Sequence, residues 1–346
     1  MANFPSLTSS RPAFQAALHA WYRVHQRPLP WRSSPSLYKT VVSEFMLQQT
    51  QVKTVLPYFA RWLRALPDFT ALAAAPEAKV IKFWEGLGYY SRARNLHKLA
   101  QALVARPTLP RTPAEWRELP GIGPYTAAAI TSIAFGEPAA VVDGNVVRIL
   151  ARLTGEGRLF RDGSAAVIHF TPLADALLLG SNPGEHNQAM MELGATLCRR
   201  QNPRCLVCPV VEFCVANNRG VPEKFPRLKP RIMEQRQVTR IWCEHGGKLL
   251  LRRGHAQAKR LAGLHELPEA SDLRLPASDK KSLLAIKRRV ITRFQITESI
   301  YRLKASSVVT RQVAATASLE WVPLRQLDQI TLSGPHRRWI GELLHR

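Results

Sequence analysis

Acidic residues are scarce in this chain: 25 Asp and Glu stand against 49 Lys and Arg in 346 residues, for a formal charge of +24. That imbalance favours a polyanionic partner, either nucleic acid or an anionic membrane surface. Long apolar runs are also missing. No eighteen consecutive apolar residues occur and no basic helix with a broad apolar face stands out, so membrane association is not expected and nucleic acid is the better partner. The opening Met1-Ala2-Asn3-Phe4-Pro5-Ser6 lacks a basic stretch followed by an apolar core, so no secretory leader is read there and a cytoplasmic location is expected. Cysteine is sparse as well. Of five, four crowd between Cys198 and Cys214, which argues against an extracellular disulfide framework and for a metal cluster. Cys243 is left over as an ordinary buried thiol.

What is present divides near residue 230. Residues 231–346 hold 22 basic and 10 acidic side chains and the residues before them 27 and 15, so each part carries about +12 and both are expected to face phosphate. From residue 14 to about 213 apolar residues recur at three- and four-residue spacings, as in Leu96, Leu99, Ala100 and Leu103, which predicts a mainly α-helical domain over 8–216. Pro107, Pro110 and Pro113 punctuate a loop, while Pro172 and Pro183 read as helix boundaries. Residues 217–236, with Pro222, Pro226 and Pro230 among Lys and Arg, read as a semi-extended linker. Beyond it, strand-like runs at 237–244, 248–252 and 296–303 surround the turn His245-Gly246-Gly247 and predict an α+β domain over 237–346.

Two local motifs carry chemistry. Cys198, Cys205, Cys208 and Cys214 follow C-x6-C-x2-C-x5-C, which brings four soft thiolates into one loop, 198–214; spacing alone leaves structural zinc and a 4Fe-4S cluster both open. Leu119-Pro120-Gly121-Ile122-Gly123-Pro124-Tyr125 joins two helical stretches through a glycine turn whose N–H groups suit a phosphate. Taken alone, such a turn is usually only a turn.

With Val142-Asp143-Gly144-Asn145-Val146 twenty residues on, the hairpin resembles the helix-hairpin-helix glycosylases. Ser43-Glu44-Phe45-Met46-Leu47-Gln48-Gln49-Thr50 and Trp84-Glu85-Gly86-Leu87-Gly88-Tyr89-Tyr90 are similar to segments of the MutY-type adenine DNA glycosylases, within the endonuclease III superfamily. The resemblance spans the helical domain. It implies a 4Fe-4S cluster on the four cysteines and base excision of adenine opposite 8-oxoguanine or guanine in double-stranded DNA, by an essentially monofunctional enzyme expected to act as a monomer. Leu119, Gly121 and Gly123 would grip the phosphate backbone, Gln49 and Tyr89 would act as wedges, and Trp31, Arg32 and Gln188 would line the adenine pocket. Elsewhere, Gln49 and Tyr89 would pass for surface and core packing, and Glu44 for a solvated helix charge.

Adenine is a poor leaving anion, so protonation at N7 is needed for it to depart neutral. Glu44, beside Phe45, Met46 and Leu47, is the expected general acid. Departure leaves positive charge on the sugar, for which Asp143 is the expected partner, with Asn145 orienting the pair. Tyr125, by resemblance, contacts the sugar and Glu44. It stands where endonuclease III-like enzymes carry a lysine, and a phenol forms no Schiff base, so little strand cleavage is expected.

Residues from about 237 resemble the MutT-like (Nudix) domain of the same enzymes, more weakly, through Leu261-Ala262-Gly263-Leu264-His265-Glu266-Leu267-Pro268. No Nudix metal box follows Pro268, so nucleotide hydrolysis is not expected. Where the family carries a Phe-Ser-His turn that probes 8-oxoguanine, this chain reads Ile291-Thr292-Arg293. Thr292 keeps the hydroxyl and Arg293 offers a guanidinium suited to a purine edge. The competing readings are a bifunctional glycosylase/lyase acting on oxidised pyrimidines and a non-catalytic iron-sulfur DNA-binding protein.

Overall fold

The computed structural model describes residues 5–255, 258, 261–273, 282–305 and 307–345. Residues 1–4, which carry part of the leader reading, lie outside them. The chain forms two compact units: Met1–Ala74 with Asn95–Pro230, and Ala75–Arg94 with Arg231–Arg346.

The first unit is helical. Its site-bearing helices are α1 (Arg11–His25), α2 (Leu37–Leu47), α3 (Pro124–Phe135), α4 (Gly144–Thr154), α5 (Gly163–Leu178) and α6 (Pro183–Thr196). Their starts are written locally. Ser36 accepts the Lys39 N–H at the head of α2, Asp143 and Asn182 cap α4 and α6, and Pro124 and Pro183 occupy first-turn positions. The core joins Phe14 and Leu18 of α1, Ile149 and Leu150 of α4, Phe170 and Leu173 of α5, and Ala189 and Leu193 of α6. Each such large side chain stabilises the fold by roughly 1.5–3 kcal/mol through burial.

Pro172 is not the boundary expected of it: it lies inside α5. Burial of Phe170, Leu173 and Leu177 on the same helix outweighs the lost hydrogen bond, and Ile168, whose carbonyl is freed, is 75% exposed and close to water. Residues up to Pro230 close the helical unit. Phe225 is buried in its core and Arg227–Leu228 pairs in parallel with Leu159–Phe160.

The second unit is α+β. Strands β1 (Glu234–His245), β2 (Lys248–Arg253), β3 (Leu283–Ile291), β4 (Phe294–Lys304) and β5 (Leu319–Pro323) are accompanied by helix α7 (Gly334–Leu344). β1 lies between β2, antiparallel, and β4, parallel; β3 flanks β4, and β2 also pairs with β5 and His265–Glu266. Alternation sorts Trp242, with Leu249 and Leu251, to a face packed against Trp339 and Ile340 of α7, and Ile241 and Cys243 to a face shared with Leu250 and Val309. Gly246 and Gly247, at φ 55° and 70°, make the β1–β2 turn. The segment Ala75–Arg94 is fastened here: Glu85 Oε1 accepts from Leu332 N at 2.8 Å and Arg337 Nε at 2.9 Å, and Tyr90 Oη donates to the Leu332 carbonyl at 3.0 Å.

Candidate active site

A cavity of about 540 Å³ in the helical unit is lined by Trp31, Arg32, Glu44, Tyr125, Asp143, Asn145 and Gln188, along with Arg27, Lys53 and Met191. All seven residues assigned by sequence to catalysis and the base pocket therefore share one space, although they are spread over 158 positions of chain.

Glu44 reaches it from α2 and is only 7% exposed. Burial pushes its carboxyl up to about 7, Asp143 adds to the rise, and Tyr125 and Arg32 oppose it. Asp143 sits at the start of α4. Its Oδ1 accepts from the N–H groups of Asn145 and Val146, both at 2.8 Å, and its Oδ2 accepts from Asn145 Nδ2 at 2.8 Å. A carboxylate in this position also faces the positive end of the helix dipole. Tyr125, from α3, has its hydroxyl between Glu44 and Met191, whose Sδ lies 3.2 Å away; burial and the two neighbouring carboxylates raise the phenol well above its ordinary range. Gln188 accepts from Tyr22 Oη at 3.3 Å, and Trp31 stands edge-on to Phe59 at 5.1 Å.

Several residues of this site escaped the sequence reading. Glu192, with a fully buried side chain, clamps Arg27 at 2.6 and 3.0 Å and Arg32 at 2.8 Å. Despite burial, the two guanidiniums hold its carboxyl below the usual range. The available signal was a charge set among Ala189, Leu193 and Thr196 on the inward stripe of α6. Arg148 bridges Asn145 Oδ1, at 3.0 Å, to the carbonyls of Cys198, at 2.7 Å, and Gly194, at 2.9 Å. Gly194 is required there because a Cβ would stand 2.7 Å from Asn145 Cβ.

The hairpin places Leu119 and Ile122 in the interior and turns the chain at Gly121. At φ 76°, and with a Cβ due to fall 2.5 Å from Asn95 Cβ, position 121 admits only glycine without movement. Gly123 precedes Pro124 as the cap of α3. Gln49, Tyr89 and Thr292 are all exposed and are three of the five non-glycine residues with positive φ among the described residues, at 55°, 47° and 54°. Such backbone costs of order 1–3 kcal/mol and gathers at functional sites. Thr292 and Arg293 form the two-residue tip between β3 and β4, where Ile291 pairs with Phe294, and Arg293 Nε lies 2.8 Å from Glu234 Oε1.

Cys198, Cys205, Cys208 and Cys214 line one small cavity at the end of α6, with Arg152. Arg152, 2% exposed, organises the loop by donating to Cys198 Sγ at 3.2 Å and to the carbonyls of Arg199 at 2.7 Å and Arg200 at 3.0 Å. Burial pushes the Cys208 thiol up to about 12. Among the described residues no three His, Cys, Asp or Glu are grouped to hold a metal ion. Arg199, Arg200 and Arg204 are exposed around the loop.

Residues 42–159, which contain Glu44, the hairpin and Asp143, match the family described as HhH-GPD superfamily base excision DNA repair protein. That stretch is similar to members of this superfamily. The chain is similar to proteins named adenine DNA glycosylase: 44% identical over 220 residues to that of Mus musculus, covering 60% of this chain and 42% of that protein. The Homo sapiens protein is 43% identical over 226 residues, covering 62% and 41%. The protein of Buchnera aphidicola subsp. Baizongia pistaciae is 35% identical over 241 residues, covering 66% and 65%. The matched stretch thus spans less than two thirds of each relative. Among solved structures, a thermostable thymine-DNA glycosylase superposes with TM-score 0.54 at 25% identity, covering 62% of this chain and 99% of that one. A non-covalent endonuclease III–DNA complex, at TM-score 0.51 and 22% identity, covers 64% and 99% and shares the fold. No helix among the described residues is long and apolar enough to cross a membrane.

Proposed function

We propose that this chain is an adenine DNA glycosylase of base excision repair, acting on adenine mispaired with 8-oxoguanine or guanine in duplex DNA. The observation that carries the reading is a single cavity holding Glu44, with its carboxyl near 7, and Asp143, whose carboxylate is fixed by three N–H donors. The two carboxyls are thereby suited to opposite tasks. Glu44 delivers a proton to adenine N7, the glycosidic bond breaks toward the base, and neutral adenine leaves. Asp143 faces the positive charge that remains on the sugar until water adds to it. Extracting the base costs a few kcal/mol of stacking and pairing, which Gln49 and Tyr89 offset by filling the gap.

Tyr125 offers no amine for a Schiff base, so base release is separate from strand cleavage. Lys53, which lines the same cavity, is the residue to replace should untreated DNA break. Thr292 and Arg293, exposed at the β3–β4 tip, are the reader of the opposite base in this proposal. For the cysteine loop we propose a 4Fe-4S cluster held by Cys198, Cys205, Cys208 and Cys214. The four cysteines line one small cavity, and the resemblance of their spacing to the iron-sulfur loop of the endonuclease III and MutY glycosylases favours the cluster over a structural zinc. The cluster would supply the positive centre that keeps the thiolates charged and would brace the basic loop.

The test is single-turnover adenine release from duplexes carrying adenine opposite 8-oxoguanine, guanine, cytosine or thymine, with and without alkali. Fast release opposite 8-oxoguanine, with breakage only after alkali, is expected. No release from any of the four duplexes overturns the substrate.

A further inference from the structure

The hydroxyl of Tyr125 has one proton and two neighbours that accept it. Tyr125 Oη lies 3.2 Å from Met191 Sδ and also in hydrogen-bond contact with the Glu44 carboxyl. A thioether has no proton to give, so in the Tyr125–Met191 contact the phenol is the donor. Its oxygen then presents lone pairs, and only a protonated Glu44 can donate to them. In the protonated state the three groups make two hydrogen bonds in series, from Glu44 to Tyr125 and from Tyr125 to Met191. In the ionised state the phenol turns to the carboxylate and the sulfur loses its partner.

We propose that Met191 is a positioning residue for Glu44: by accepting the Tyr125 proton it turns the phenol oxygen toward Glu44 and favours the protonated carboxyl. The role rests on the reading of Glu44 as the proton donor, and it adds a residue that touches Glu44 only through Tyr125. Met191 comes from α6, half-buried against Ala128, Ala129 and Val141, so its sulfur is held in place by packing rather than by solvent. The other groups that face Glu44 are Asp143 at the start of α4 and Arg32 from the Pro30–Ser33 turn. Arg27 and Lys53 line the same cavity, and Glu192 is paired with Arg27 and Arg32. The hydrogen bond to the Met191 sulfur comes from Tyr125.

The experiment is a carbon-13 NMR titration of the Glu44 carboxyl in the full chain without DNA, for wild type, Met191→Leu, Met191→Gln and Tyr125→Phe, and for the Met191 changes combined with Tyr125→Phe. Met191→Leu keeps the volume and removes the acceptor. It is expected to lower the Glu44 midpoint by about half a unit, the size of one neutral hydrogen bond. Met191→Gln, whose amide oxygen accepts more strongly, is expected to raise it, which keeps the test available should the leucine variant fail to fold. Both shifts should vanish when Tyr125 is Phe. An unchanged midpoint, or equal shifts with and without the phenol, overturns the proposal. Because no substrate is involved, the titration stands or falls separately from adenine release.

Discussion

Asn145 Nδ2 donates to Asp143 Oδ2 at 2.8 Å, and the same side chain receives Arg148 Nη2 on its Oδ1 at 3.0 Å. Arg148 in turn holds the Cys198 carbonyl, so the Asp143 carboxylate is oriented by a chain of hydrogen bonds that ends in the cysteine loop. Arg148→Gln removes the contacts to Asn145, Cys198 and Gly194. Base release is expected to slow about tenfold to hundredfold, the worth of a charged hydrogen bond spent on the transition state, with duplex affinity nearly unchanged. Single-turnover rates beside anisotropy binding curves check it; an unaltered rate would mean that Asp143 needs no such support.

Glu44 sets a second expectation, in which activity and stability oppose each other. Glu44→Gln is expected to cut base release by about 10²–10⁴-fold. Wild-type cleavage should decline as pH rises through about 7, where Glu44 gives up its proton. The carboxyl titrates at 4.5 in the unfolded chain and near 7 in the folded one. The folded state therefore binds the proton more tightly, and its stability is complete below 4.5 and falls as pH rises through 7. Glu44→Gln should melt higher than wild type at pH 8, by up to about 3 kcal/mol, with the gap closing toward pH 4.5. Parallel melts at every pH would rule out burial as the cause.

Backbone strain at the proposed wedge and reader positions is open to the same kind of trade. Gln49→Gly and Thr292→Gly relieve positive φ and should each stabilise their own unit by about 0.5–1 kcal/mol. Gln49→Gly is expected to slow release from every duplex. Thr292→Gly is expected to narrow the preference between 8-oxoguanine and guanine. Differential scanning calorimetry with paired release assays separates the two effects, and a glycine variant that melts lower would remove the strain argument.

The cysteine loop makes a compositional prediction. The purified chain should contain iron and acid-labile sulfide in equal amounts, with a visible absorption band and no zinc. Cys208→Ala should lose both and destabilise the helical unit, because Cys208 packs against that unit's core. One zinc per chain with no sulfide would replace the cluster by a mononuclear site.

What was legible in the sequence is what short range encodes. The cysteine spacing, the Leu119–Tyr125 turn, the Asp143 cap and the Glu44 helix each lie within a few residues, so their local form follows from residue type. The strand runs and the glycine turn at 246–247 were readable for the same reason. Pro172 shows the limit of such rules, since core burial along α5 overrode a local breaker.

Tertiary structure alone decided which of these pieces meet. Glu192 clamps Arg27 and Arg32 across 165 and 160 positions, and Met191 reaches Tyr125 across 66. It also fastened Ala75–Arg94, and with it Tyr89, to the sheet-bearing unit. Contacts of that range leave no period or spacing in a single chain. They depend on the angle at which packed helices bring side chains together, and the environment that lifts the Glu44 carboxyl to about 7 exists only after α2, α3, α4 and α6 have closed around it.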